Sequence, residues 1–217
     1  TPLCAEQLLK ASEKAGLPKN IFQILHLDHS STSKVIADSR IDHVLFTGSV
    51  SGGIEVKKAI GTRFIGAGLE LGGKDPAYVR ADCNFDHAVE NLVDGSYYNS
   101  GQSCCGIERI YVDEKIFDNF VDAFKAQTEK YILDNPLDNS TNLGPVVKLS
   151  AANNIRDQVS KALNNGAKNI IDESKFKIDN SDNCYVSPSA LINVDHSMEF
   201  MMEETFGPTV GIMKVKN

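Results

Sequence analysis

The chain has 217 residues, of which 41% are hydrophobic and 24% charged, and its formal net charge is −7. A length of this order fits one large domain or two small ones, with enough apolar residues for a sizeable core. The acidic balance argues against a general nucleic-acid binder, which needs basic patches to neutralise phosphates.

Apolar runs and cysteines bear on the location of the protein. No apolar run approaches the ~20 residues that span a bilayer, so we expect no membrane contact. The N-terminus lacks a basic start and an apolar stretch, which disfavours a secretory signal, and it lacks an initiator Met, so we expect a piece of a longer protein. The five cysteines are too few and too scattered for a disulfide framework. We therefore expect a cytoplasmic location, with the mitochondrial matrix as the alternative.

The predicted elements of the first third are helices separated by short apolar strands. The first helix is capped by Thr1, has Pro2 in its first turn and stops at Gly16 and Pro18. A strand over Ile21–Leu25, a helix over 30–38, a strand over 43–46 and a turn opening into a helix over 48–61 follow.

The remaining elements continue this alternation. Strands are predicted over 77–80, 109–112 and 210–215, and helices over 86–100, 114–132 and 149–168. Strands that alternate with helices of this length predict βαβ units and an α/β fold with a mostly parallel sheet. The GGKDP turn at 72–76 predicts a boundary, so we expect two domains, 1–71 and 72–217.

The segment GLELGGKD, residues 68–75, has three interpretations. Gly68, Gly73 and Lys74 fit the spacing of a phosphate loop, but Asp75 stands where Ser or Thr must bind magnesium, which disfavours that interpretation. A glycine turn after a strand, or a strand end that presents Glu70 as a base, both stay open.

The segment GQSCCG, residues 101–106, contains the adjacent thiols of Cys104 and Cys105. Ser103 is disfavoured as a hydrolase nucleophile, because Cys105 occupies the last glycine position of the required G-x-S-x-G pattern. A metal site needs a second group of ligands at suitable spacing, so we predict no bound metal. Buried apolar spacers, the more frequent role of an isolated thiol, and a reactive thiol remain.

Four motifs read together point to one family. They are FTGS at 46–49, LELGGK at 69–74, NSGQSC at 99–104 and EETFGP at 203–208. FTGS ends a strand before a helix whose free N–H groups can hold a phosphate, and the others supply carboxylates and a thiol. With these motifs in this order, the sequence closely resembles the NAD(P)-dependent aldehyde dehydrogenases over essentially its whole length. The resemblance implies the second half of a Rossmann-like cofactor domain over 1–71, followed by an α/β catalytic domain over 72–217.

The resemblance also implies roles for single residues. Cys104 is expected to attack the aldehyde, giving a thiohemiacetal that loses hydride to the nicotinamide and leaves a thioester for water to cleave. Glu70 is expected to be the general base, and Cys105 to take no chemical part. Gly48 and Ser49 belong to the pyrophosphate site of NAD or NADP, and Glu204 and Phe206 position the nicotinamide ribose and ring. The complete set of expected cofactor contacts is Phe46, Gly48, Ser49, Leu71, Gly72, Glu204 and Phe206.

Family members are considerably longer than this chain, and this leaves two function classes open. The resemblance implies that the first strands, the adenosine-ribose segment and an upstream Asn that helps hold the oxyanion are missing here. One class is an enzyme that oxidises a small-molecule aldehyde, active as a homodimer or homotetramer at full length. The other is a truncated, inactive relative that acts as a structural or interaction module.

Tyr97 and Tyr98 lie just before the expected nucleophile. Their side chains either line the substrate tunnel or belong to the core of the preceding helix.

Overall fold

The chain divides into two compact units, Thr1–Leu71 and Gly72–Asn217. The computed structural model describes residues 2–179 and 181–216, so the predicted capping role of Thr1 lies outside the described residues. The division falls directly before the GGK turn. The assignment of cofactor binding to one unit and of catalysis to the other stays a prediction.

The first unit is built around one parallel strand pair. Its elements in chain order are α1 (Pro2–Lys14), α2 (His29–Ala37), β1 (His43–Gly48), α3 (Val50–Ile60) and β2 (Gly66–Leu71). Helix α3 connects β1 to β2, which pair in parallel with Thr47 opposite Glu70 and Gly48 opposite Leu71. The FTGS motif and the LEL part of the second motif therefore end at the same edge of this sheet.

The strand predicted over Ile21–Leu25 is wrong. This segment is irregular, and Ile21 and Leu25 expose 69% and 64% of their surface. A strand needs a hydrogen-bonded neighbour, and within the described part of the unit β1 and β2 pair only with each other. The apolar run IFQIL therefore has local strand propensity but no partner, and it connects α1 to α2 as a loop.

The second unit is built around a five-stranded sheet in the order β3-β4-β7-β6-β5. The strands are β3 (Asp75–Val79), β4 (Ile107–Asp113), β5 (Lys168–Asn169), β6 (Ser189–Ile192) and β7 (Thr209–Val215). The helices are α4 (Phe85–Tyr97), α5 (Phe117–Thr128), α6 (Leu149–Asn164) and α7 (Glu199–Met202), with 3-10 turns at Tyr98–Gly101 and Glu173–Lys175. All neighbouring strands are parallel except β5 and β6. The predicted α/β class with a mostly parallel sheet is confirmed.

Two apolar clusters fix the central strands of this sheet. One joins Ile110 and Val112 of β4 to Phe120 and Phe124 of α5, and all four side chains are fully buried. The other lies around α6, β6 and α7 and contains Leu191. Burial of this kind makes β4 and β7 a rigid base for the loops that precede them.

Tyr97 and Tyr98 have different environments at the end of α4. Tyr97 is completely buried, its hydroxyl donates to the carbonyl of Ser189 at 3.2 Å, and burial raises the pKa of this phenol. Tyr98 is 69% exposed. The core interpretation is therefore correct for Tyr97.

No helix in the described ranges is long and apolar enough to cross a membrane.

Candidate active site

Strands β3, β4 and β7 are adjacent and parallel, so their amino ends meet at one edge of the second unit's sheet. The GGK turn precedes β3, the GQSCC turn precedes β4, and the EETFGP segment precedes β7. Topology alone therefore brings together Gly72, Cys104, Glu204 and Phe206. These four residues come from three motifs that lie far apart in the sequence.

The turn before Cys104 has an unusual backbone. Asn99, Ser100 and Gly101 have φ values of 52°, 56° and 69°, which is the left-handed region. Asn tolerates this conformation and Gly is free to adopt it, but Ser is strained there. Three successive left-handed residues reverse the chain tightly after α4 and lead directly to Ser103 and Cys104.

Side chains hold this turn in place from both sides. The Gln102 amide donates to the Asn99 carbonyl at 3.1 Å and accepts the N–H of Val147 at 2.8 Å. The Asn99 amide donates to the Gln102 carbonyl at 3.0 Å, and the Ser100 hydroxyl donates to the Gly144 carbonyl at 2.8 Å. These bonds offset the backbone strain and anchor the turn to the 144–147 loop.

Both thiols of the CC pair are accessible. Cys104 and Cys105 are exposed, so the interpretation as buried spacers is wrong for both. The Cys105 sulfur lies 3.3 Å from the Ser103 hydroxyl oxygen. Among the described residues, no acceptor takes the backbone N–H of Cys104. A free N–H next to an exposed thiol is a geometry that suits attack on a carbonyl group.

The GGK turn and Glu204 are in close contact. A methyl group on Gly72 would lie 2.0 Å from a Glu204 carboxylate oxygen, so any side chain at this position would displace that carboxylate. The Gly73 N–H favours the charged form of the same carboxylate and so lowers its pKa. A methyl group on Gly73 would also lie 3.6 Å from the Cys104 carbonyl oxygen, so the turn is adjacent to the backbone of the candidate nucleophile.

Sequence reasoning missed a buried ionic network behind this cluster. The Lys74 ammonium donates to Glu108 at 2.5 Å and to the Thr205 hydroxyl at 3.0 Å, and the side chains of Lys74 and Glu108 are 5% and 4% exposed. Lys74 is thus fully engaged inside the fold, and the phosphate-loop interpretation is wrong. A signal was present in β4, where Glu108 shares its buried face with Ile110 and Val112. A charge in such an alternation requires a buried partner.

The charged groups of this cluster influence one another. Burial raises the pKa of Glu204, and the negative charge of Glu108 adds to the effect, while the Gly73 N–H and Lys74 oppose it. Burial lowers the pKa of Lys74, and the Glu108 carboxylate works against that shift. Glu204 is therefore a half-buried carboxylate in a site that disfavours its charged form.

The first unit carries the other predicted site residues. Ser49 caps α3 by accepting the Gly52 N–H at 3.1 Å, and the Phe46 ring lies against Gly48 and Gly52, where a methyl group would come within 2.7 Å and 2.6 Å of it. Leu71 packs on Gly53 of the same helix. Glu70 is exposed at the carboxyl end of β2.

The chain therefore divides the predicted site residues between its two units. The first unit holds Phe46, Gly48, Ser49, Glu70 and Leu71, and the second holds Gly72, Cys104, Glu204 and Phe206. In the described part of the chain, no three His, Cys, Asp or Glu residues form a group that could hold a metal ion.

Replacement of Gly101 by alanine tests whether the left-handed turn is built for close contact. At Gly101 a methyl group would lie 1.9 Å from the Gly207 carbonyl, whereas at Gly166, which also has positive φ, it meets nothing within 4 Å. In urea unfolding of the full-length protein, we expect Gly166→Ala to cost about 1 kcal/mol from backbone strain alone, and Gly101→Ala about 2 kcal/mol more. Equal losses for the two variants would contradict the close contact.

Replacement of Glu204 by glutamine tests the electrostatics. A carboxyl whose pKa is raised on folding contributes stability below its unfolded pKa and loses that contribution as the pH rises through its folded pKa. Gln stays neutral, so we expect Glu204→Gln to be more stable than the parent at neutral pH, with the difference shrinking towards about pH 4. Glu203→Gln, at the exposed neighbouring carboxylate, is the control. A Glu204→Gln variant that is less stable at neutral pH would show that the charged form is favoured.

Comparison with known proteins relates this geometry to a family. The sequence model described as "Aldehyde dehydrogenase family" matches residues 1–217. A 3-sulfolactaldehyde dehydrogenase of Priestia megaterium is 32% identical over 213 residues, which is 98% of this chain and 43% of that protein. A betaine aldehyde dehydrogenase double mutant from Staphylococcus aureus, in complex with NAD⁺, superimposes with a TM-score of 0.91 at 30% identity, over 100% of this chain and 44% of that one.

A third relative binds the other nicotinamide cofactor. The glyceraldehyde-3-phosphate dehydrogenase GapN of Methanocaldococcus jannaschii, complexed with NADP, gives a TM-score of 0.87 at 28% identity, over 98% of this chain and 45% of that one. The chain thus spans less than half the length of the relatives it matches. With the family model matching from end to end, the chain belongs to the aldehyde dehydrogenase family.

Proposed function

We propose that the protein oxidises an aldehyde to a carboxylic acid with NAD or NADP, through covalent intermediates on Cys104. The observation that carries the proposal is the edge formed by the amino ends of β3, β4 and β7. There an exposed thiol with a free backbone N–H lies at the end of a braced left-handed turn, next to the GGK turn and the Glu204–Phe206 segment.

The residues of this chain fit a dinucleotide cofactor. In the second unit, Gly72 leaves no side chain over the Glu204 carboxylate, which can accept from ribose hydroxyls, and Phe206 exposes 40% of its surface. In the first unit, the start of α3 after Ser49 presents N–H groups suited to a pyrophosphate. The complexes of two structural relatives with NAD⁺ and NADP support this cofactor class. When bound, the nicotinamide supplies the hydride acceptor.

The protein's own residues account for the remaining chemistry. The Cys104 thiolate attacks the carbonyl carbon, and the Cys104 backbone N–H stabilises the oxyanion of the thiohemiacetal. Loss of hydride from that carbon leaves a thioester on Cys104. Glu70 takes a proton from the water that attacks the thioester or from the thiol itself, and the carboxylic acid leaves with the thiol restored.

The remaining features of the proposal concern the whole protein. We propose a cytoplasmic enzyme that functions as a homo-oligomer. The free cysteines suit a reducing compartment. The relatives act on differently charged aldehydes, according to their names, so a panel of aldehydes is needed to find the substrate.

Serine replacements of the two adjacent cysteines test the assignment of the nucleophile. Formation of NAD(P)H by the full-length protein is followed with propanal, betaine aldehyde and succinate semialdehyde. We expect Cys104→Ser to lower turnover by about 10²-fold or more, because a hydroxyl is a far weaker nucleophile than a thiolate, while the matched Cys105→Ser variant keeps the parent rate.

Two outcomes would contradict the proposal. Loss of turnover in Cys105→Ser with a normal rate in Cys104→Ser would mean that the wrong thiol has been assigned. A parent protein without NAD(P)H formation on any aldehyde of the panel would favour the alternative, an inactive relative with a structural or interaction role.

A further inference from the structure

We infer that Glu108 is a positioning residue, whose buried carboxylate holds the Glu204–Phe206 segment in the conformation that presents it to the cofactor. This inference rests on the proposed function. Glu108 lies in β4, four residues after Cys104, so the strand that follows the proposed nucleophile would also orient the 204–206 segment.

The carboxylate of Glu108 makes hydrogen bonds through both of its oxygens. Oε2 accepts from the Lys74 ammonium at 2.5 Å and from the Thr205 N–H at 2.9 Å. Oε1 accepts from the Phe206 N–H at 2.9 Å. Two consecutive backbone N–H groups therefore point at one carboxylate, and a lysine balances its charge.

The Phe206 backbone explains why this segment needs such an anchor. Its φ is 53°, a left-handed conformation that is an outlier for a bulky side chain. Phe206 exposes 40% of its surface, so packing alone does not enforce the conformation. The hydrogen bond from Phe206 N–H to Glu108 supplies a constraint that packing does not.

Further bonds extend the anchor to the residues on either side. The Thr205 hydroxyl accepts from Lys74 and donates to the side-chain carbonyl of Gln158 at 2.7 Å. The Gln158 amide donates to the Glu204 carbonyl at 3.3 Å. Three consecutive residues, Glu204 to Phe206, are therefore tied to a strand and a helix through buried or half-buried polar side chains.

A role in stability alone does not account for this arrangement. A buried ion pair is often replaceable by apolar side chains without loss of stability. An apolar pair cannot accept two consecutive backbone N–H groups, so it would leave the 204–206 segment free to change conformation. Removal of both charges together should therefore leave the stability nearly unchanged but disturb the placement of the cofactor.

The test compares three variants with the full-length parent. Glu108→Gln removes the charge, and the double variant Lys74→Met with Glu108→Gln removes it without leaving an unpaired buried charge. Glu203→Gln, at an exposed carboxylate of the same segment, is the matched control. The readouts are KM for cofactor and for aldehyde, the melting temperature, and amide hydrogen exchange in peptides covering 203–207.

We expect the double variant to fold, to melt close to the parent and to show a KM for cofactor about tenfold higher, the change typical of one lost charge-assisted hydrogen bond. KM for aldehyde should stay near the parent value, and exchange at 203–207 should accelerate. Glu203→Gln should match the parent in every readout. If Glu108→Gln alone fails to fold, the double variant is used to test whether Glu108 positions the 204–206 segment.

Two outcomes would overturn the inference. One is a folded double variant with unchanged KM for cofactor and unchanged exchange. The other is a double variant that cannot fold, which would show that the core, and not the segment, needs the pair. A parent without aldehyde oxidation would refute the proposed function instead, and the exchange comparison would then decide the role of Glu108 by itself.

Discussion

The buried ion pair of Lys74 and Glu108 is the constraint on which the second unit's site depends. An ammonium and a carboxylate with about 5% exposure are tolerable only when each has partners, and here the partners are backbone and side-chain groups of the site itself. Lys74 is the last residue of the GGK turn, Glu108 lies just after the GQSCC turn, and both bind Thr205. One electrostatic contact thus ties together three loops that precede three adjacent strands, which is how motifs distant in sequence acquire a fixed geometry.

The two units place their motifs at opposite kinds of sheet edge. In the first unit, FTG and LEL end β1 and β2, so their residues lie at the carboxyl edge, where ligands of parallel sheets usually bind. In the second unit, the corresponding loops lie at the amino edge of β3, β4 and β7. At that edge, Ser100 and Phe206 are strained in left-handed conformations, and the hydrogen bonds of Gln102 and Glu108 offset the strain. The backbone is therefore restrained around the thiol by polar contacts more than by apolar packing.

The sequence predicted most of the architecture because periodicity reports burial directly. Helix α5 and strand β4 follow from the spacing of Phe117, Phe120 and Phe124 and from the alternation of Ile110 and Val112. The strand prediction for the run IFQIL was wrong because a strand needs a hydrogen-bonded partner, and the local sequence does not reveal whether one exists. Cys104 is proposed as the nucleophile on the basis of its motif, whereas Glu108 was missed because its partners are Lys74 and Thr205, and only the folded sheet brings these together. Contacts between residues so distant in the sequence depend on the topology of the fold and cannot be predicted from a short sequence segment.

If Cys104 carries the substrate as a thioester, as we propose, that adduct can be trapped on the protein. The full-length protein with Glu70→Gln is mixed with aldehyde and NAD or NADP, quenched in acid and digested for mass spectrometry. Because Glu70 is the proposed base for thioester hydrolysis, we expect the acyl mass to accumulate on the Cys104 side chain and to be absent without cofactor. An acyl group on Cys105, or NAD(P)H release from a Cys104→Ser protein at the parent rate, would contradict it.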